Sequence, residues 1–286
     1  MIVRLKPYLE PKLWGSMTLT RRYHPGMDEQ IGEAWGISMI AGKESRIQDG
    51  DYKGMPFSIL YKERSDLFGG LEGDFPLLIK VIDAQDDLSI QTHPKSGKQA
   101  KNEAWIVLSH KENARLIMGH KAKSKEEFLQ ALKEKKLEEL LVYEPVKVKD
   151  AFTIEGGKLH GIGKGIEVFE IQQASDTTYR VYDYDRIKNG QPRPLHLREA
   201  LALMNFPDMD VKRGIDSPYF QVKDLEISGQ EEVRSHLYGD YLYIESGQGQ
   251  IGELRVKAND FVFVSSNQTY PVLGDMTIYK STIQGQ

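Results

Sequence analysis

Four short runs of β-type sequence govern what this chain can fold into. PLLIKVIDA (76–84) and EAWIVLSH (103–110) are continuous apolar runs of buried-strand type, whereas IEVFEIQQ (166–173) and TTYRVYDY (177–184) alternate apolar and polar residues. Glycine, asparagine and aspartate punctuate them, and short strands of this kind bury their apolar faces by pairing into a sandwich or barrel. Two stretches depart from the pattern. SKEEFLQALKEKKLEELLVY (124–143) opens with a capping box, Ser124 followed by Glu127, and then spaces Phe128, Leu129, Leu132, Leu137, Leu140 and Leu141 as on one or two amphipathic helices. PLHLREALALMNF (194–206) reads as a further helical segment. From about residue 216 strands and turns return, with SGQG and KAND marking the turns. The expected organisation is therefore a mainly β domain over 1–215, carrying the helical segments 124–143 and 194–206, and a smaller β-domain over 216–286.

Composition removes several functional classes. The 286 residues carry a net charge of -4, so the basic excess needed to neutralise phosphates is missing and nucleic acid is not an expected partner. No apolar run reaches the roughly 18 residues that span a bilayer, and MIVRLKPYLEPKLWG lacks the apolar core of a secretory signal. No membrane association and a cytoplasmic location are the expectation. Cysteine is absent, which excludes disulfides, thiolate metal sites and a cysteine nucleophile. Any metal must be held by nitrogen and oxygen.

Such donors cluster around LSIQTHPKSGKQAKNEAW (88–105). Side chains alternate along a strand, so Leu88, Ile90 and Thr92 share one face and Ser89, Gln91 and His93 the other. Alone, that polar face fits a solvated strand as well as a metal site. Glu103 begins the next strand, and an antiparallel hairpin would bring it beside Gln91 and His93. Of the seven histidines, His160 also stands out, because it emerges from a Gly-Gly turn among small neighbours that leave room for a ligand. Gln91, His93, Glu103 and His160 together suit zinc or another divalent first-row ion, one per chain, with open coordination positions. Other motifs carry less. GIGKG (161–165) lacks the spacing of a phosphate-binding loop and reads as a turn, and KEKK (133–136) reads as a solvated helix face.

LSIQTHP, KNEAW and GGKLHGIGKGIEVFEIQQASDTTYRVYDYDR (156–186), with LWG (13–15) and IGEAWGIS (31–38) upstream, resemble the type I mannose-6-phosphate isomerases, short bacterial form, of the cupin superfamily. The resemblance runs from about residue 3 to residue 206. It implies two cupin-like β-barrels (jelly rolls) with a helical insertion, and interconversion of mannose 6-phosphate and fructose 6-phosphate through an enediol. The family's metal ligands fall on Gln91, His93, Glu103 and His160. Its catalytic arginine falls on Arg180, a pocket lysine on Lys101 and an acidic residue suited to proton transfer on Glu170; Ser89 and Lys101 would contact the sugar phosphate. Between the HP and K-x-E motifs stands only KSGKQA, shorter than is usual in the family, which implies a more open pocket. A non-catalytic cupin that binds sugar phosphates, and an isomerase preferring another aldose phosphate, stay open at this point. Oligomeric state is not legible.

Overall fold

The computed structural model describes residues 1–188 and 190–285 and is mainly β, with several antiparallel sheets and five short α-helices. None of the helices among the described residues is long and apolar enough to cross a membrane. Contacts divide the chain into two compact units: residues 1–9, 34–80 and 216–286 form one, and residues 10–33 and 81–215 the other. Residues 216–286, read from the sequence as a smaller β-domain, share their unit with residues 1–9 and 34–80. The reason is long-range pairing. Strand Ile2–Lys6 runs antiparallel to Phe261–Val264, with Val3 opposite Phe263, and Arg46–Ile47 adds to its other edge.

In this first unit Phe220–Arg234 and Thr269–Ile283 pair in register over their full length, and Asp240–Ile251 lies on the other side of Thr269–Ile283. One face buries Leu242, Ile244, Val262, Val264 and Ile278. Phe57, Phe68, Phe75, Tyr241 and Phe263 form an aromatic cluster, with Phe68 stacked on Phe263 at 4.5 Å.

The second unit holds the residues singled out above. One sheet places Tyr179–Tyr182, Ile90–Thr92, His160–Ile162, Arg115–His120 and Leu141–Pro145 side by side. Another contains the run Lys212–Arg213, Ala151–Ile154, Glu103–His110 and Ile166–Gln173. Leu116, Met118 and Ile162 of the first pack with Trp105, Val107, Phe152, Ile154 and Val168 of the second into one apolar core. The opposite face of the five-stranded sheet, through Ile90, Ile117 and Val181, is covered by Phe128, Leu137, Ala200 and Met204 of the helical segments.

Local signals explain the helices. Ser124 caps Lys125–Lys133 by accepting from Glu127 N at 3.2 Å, while Glu127 accepts from Lys123 N at 2.6 Å. Lys135, with a φ of 58°, ends that helix, and Leu137–Leu140 supplies a further turn. The helical reading of 124–143 is corrected at its end. Leu141–Pro145 is a strand beside Arg115–His120, because Leu141 and Tyr143 find partners on the sheet. Helix Leu197–Leu203 lies within the 194–206 segment.

His120, fully buried, lies beneath these helices with its ring 4.9 Å from both Phe128 and Phe206. Burial lowers its pKa below 6.5, and Lys158 adds to this; Asp208, the Asn205 backbone and Glu127 act in the opposite direction. A native state that keeps this imidazole neutral binds fewer protons than the unfolded chain as pH falls below the unfolded value of about 6.5, so stability is lost on acidification. Urea unfolding should weaken more steeply between neutral and mildly acid pH in the wild type than in His120→Phe, the difference in slope being at most about 1.4 kcal/mol per pH unit. Parallel pH profiles would rule His120 out as a source of acid sensitivity.

Candidate metal centre

Three strands place one row of side chains across the five-stranded sheet. Gln91 stands opposite Arg180 on one side and opposite His160 on the other, and residues directly opposite share a face. His93 follows immediately after strand Ile90–Thr92. The facing sheet contributes a second group: Glu103 stands opposite Gln172 and Trp105 opposite Glu170. The expected hairpin between the Gln91 and Glu103 segments is therefore not formed. They belong to different sheets, and Glu103 meets the histidines across the layer. The short KSGKQA loop makes the crossing, closed by Lys101 N donating to Pro94 O at 3.1 Å.

The turn before His160 is built against this loop. Gly157 N donates to His93 O at 2.8 Å and Gly156 N donates to Asn102 Oδ1 at 3.0 Å, while Asn102 also donates to Gln173 Oε1 at 2.6 Å. A Cβ on Gly156 would stand 2.6 Å from both Lys95 Cα and Pro94 O, and Gly157 has a φ of 88°. Backbone cannot withdraw as a flexible side-chain tip can. Gly156→Ala should accordingly lose about 1–3 kcal/mol in chemical denaturation, and unchanged stability would show that the His93 loop yields.

His93, Glu103 and His160 are each about 1% exposed and bring ligand atoms within 4.8 Å of one another. Among the described residues this is the group of His, Asp or Glu side chains with metal-binding geometry. The protonation pattern follows from the partners. His93 Nδ1 lies 2.9 Å from Thr177 O, and His160 Nδ1 lies 2.9 Å from Lys158 O. A carbonyl only accepts, so each Nδ1 carries a proton and Nε2 is the ring nitrogen left to offer a lone pair. Burial, followed by the nearby Lys101 ammonium, pushes the His160 pKa down to about 3, which keeps that ring neutral.

The two Nε2 atoms are 3.1 Å apart, and each lies 3.4 Å from a Glu103 oxygen. Two lone pairs and a carboxylate so close together repel unless a positive centre joins them. Lys101, 5% exposed, supplies one: its Nζ is 3.0 Å from His93 Nε2, donates to Glu103 Oε2 and lies 3.7 Å from Glu170 Oε1. A divalent cation meets the same requirement, and imidazole rings held by backbone carbonyls are the usual outer support of a metal site. The donor set fits a metal ion.

Around this centre, Trp105 Nε1 donates to Glu170 Oε2 at 2.8 Å and sets its ring edge-on to His160 at 5.6 Å. Ser89 Oγ donates to Gln91 Oε1 at 3.1 Å. Arg180 donates through Nη1 to Pro194 O at 2.9 Å, and its backbone exchanges hydrogen bonds with His196: Arg180 N donates to Nδ1 at 3.2 Å and His196 N donates to Arg180 O at 2.7 Å. Its Nε is buried without a hydrogen-bond partner among the described residues. Burial, and then Arg193, lower the Arg180 pKa, yet a guanidinium keeps its charge at neutral pH.

Sequence reasoning did not single out the supports: Trp105 as an indole donor, Asn102 as the tie between turn and strand, and the Thr177, Lys158 and Pro194 carbonyls. Carbonyl acceptors have no residue-type signature.

Residues 2–121 match the family profile described as phosphomannose isomerase type I, catalytic domain. The chain is 38% identical over 274 residues to the mannose-6-phosphate isomerase of Streptococcus mutans, covering 86% of this chain and 85% of that one. It is 33% identical over 270 residues to the mannose-6-phosphate isomerase ManA of Bacillus subtilis, covering 86% of each. The crystal structure of mannose 6-phosphate isomerase from Bacillus subtilis matches with a TM-score of 0.91 at 32% identity, over 99% of each chain.

Proposed function

The chain belongs to the mannose-6-phosphate isomerase family, and from that premise we propose that it interconverts mannose 6-phosphate and fructose 6-phosphate with the help of one divalent metal ion. The observation that carries the reading is the convergence of two proton-free imidazole nitrogens and the Glu103 carboxylate in a buried site, with Lys101 and Glu170 beside them. Gln91, His93, Glu103 and His160 are the proposed ligands, and a nitrogen-oxygen set of this kind suits zinc. The bound ion would supply positive charge that polarises the sugar carbonyl and favours the anionic enediolate.

The reaction moves the C2 proton of the aldose to C1, while a hydroxyl proton passes from O2 to O1. It requires a base within reach of both carbons and positive charge beside both oxygens. Glu170 is proposed to carry the carbon-bound proton: Trp105 holds one of its oxygens, and the other faces Lys101. Lys101, able to present three donors, is proposed to orient the sugar oxygens and to pass the hydroxyl proton. Arg180 is proposed to stabilise the enediolate, because a fixed, permanently charged guanidinium serves as an electrostatic partner and not as a base. Ser89, bonded to Gln91, is proposed to contact substrate and to set the amide for ligation. The charged sugar phosphate crosses no apolar barrier unaided, which supports a cytoplasmic place of work.

A coupled assay for fructose 6-phosphate formed from mannose 6-phosphate tests the reading. Turnover is expected. Binding without turnover by metal-loaded protein would favour a sugar-phosphate binding protein, and faster turnover of another aldose 6-phosphate would reassign the substrate.

A further inference from the structure

Asp208 touches none of the proposed ligands or catalytic side chains, yet it grips the segment on which His160 depends. Its Oδ1 accepts from Lys158 Nζ at 2.6 Å and its Oδ2 accepts from Leu159 N at 3.2 Å. Between these two contacts lies the Lys158 carbonyl, the acceptor for His160 Nδ1–H. Lys158 also donates to Asp210 O at 2.5 Å. One buried carboxylate thus fixes both the side chain and the backbone of the dipeptide that immediately precedes His160. Hydrogen bonds to a charged acceptor are stronger than neutral ones, so this hold is firm.

Asp208 is itself anchored. His120 N donates to Asp208 O at 2.7 Å, and Asp208 N donates to His120 O at 3.0 Å. Gly119, with a φ of 109°, makes that approach possible, since a Cβ there would lie 2.0 Å from Asp208 O. Any other residue at 119 would push the Asp208 segment off the strand. The connection therefore runs from strand Arg115–His120 through Asp208 to the Lys158 carbonyl and the His160 ring.

We infer that Asp208 is a positioning residue that raises the metal affinity of the site by fixing the Lys158 carbonyl, and through it the tautomer and ring plane of His160; this rests on reading His160 as a ligand. Without the clamp, the carbonyl is free to turn and the imidazole loses the support that aims Nε2. Loss of such an outer partner costs about 10–100-fold in metal affinity.

Zinc affinity, measured by competition with a chromophoric chelator, and the visible spectrum of the cobalt-substituted protein test the inference on the full chain. Asp208→Ala should weaken zinc binding about 10–100-fold and shift the cobalt bands, with kcat at saturating zinc retained. Asp208→Asn, whose amide oxygen still accepts from Leu159 N, should lose less, and it decides the matter if the alanine variant does not fold. Lys158→Met, which keeps the Leu159 contact, should also lose less than Asp208→Ala. Wild-type zinc affinity and cobalt spectrum in both Asp208 variants, with only thermal stability reduced, would overturn the inference and leave the function untouched. Zinc binding unaltered by His160→Ala would instead overturn the ligand reading and the inference with it.

Discussion

Replacing His160 by alanine is expected to abolish metal retention and turnover together. The variant removes one of two nitrogen donors whose Nε2 atoms lie 3.1 Å apart in a buried site. Changes to an outer-shell partner already cost about 10–100-fold in affinity or activity, so loss of the ligand itself should exceed about 100-fold in both. Added zinc should restore little activity, because water filling the space cannot reproduce an imidazole held by the Lys158 carbonyl. His93→Ala should behave alike, since Thr177 O supports that ring in the same way. Metal content by elemental analysis, read beside kcat, checks the result. A His160→Ala protein that kept both metal and activity would remove this histidine from the site.

Arg180→Ala is expected to separate the two properties. It should keep zinc at wild-type stoichiometry, because the arginine is no proposed ligand, while kcat falls about 10²–10³-fold, as for loss of one preorganised charge stabiliser. Arg180→Lys should rescue little. The guanidinium spends Nη1 on Pro194 O and still presents its remaining donors, whereas a lysine offers a single point of charge on a flexible stem. Metal content, kcat and KM measured together decide. Unchanged kcat in Arg180→Ala would return this residue to a structural role, and loss of zinc would mean that it shapes the ligand cluster.

Much of the centre was legible because polar residues in β-type sequence are costly unless used. Ser89, Gln91 and His93 on one face, Glu103 at a strand start and His160 after two glycines each broke the apolar pattern, and the last three converge. Period two tells which face a side chain takes but not which sheet the strand joins. For that reason the Gln91 and Glu103 segments looked like one hairpin, whereas they lie in two facing sheets. The unit boundaries were hidden for a related reason: the pairing of Val3 with Phe263 leaves no local trace in the sequence. Leu141 continued the helical leucine spacing, yet its backbone pairs with His120 on a strand. Least visible were the groups that aim the site, since Thr177, Lys158 and Pro194 act through carbonyls that every residue possesses.

Metal dependence of the isomerisation is the claim on which the roles of His93, Glu103 and His160 stand, and titration of metal-stripped protein tests it most directly. Protein freed of metal by a chelator should form no fructose 6-phosphate from mannose 6-phosphate, and activity should return linearly with added zinc to a break at one equivalent per chain. Full turnover by the stripped protein, or zinc-loaded protein that remains inactive, would contradict it.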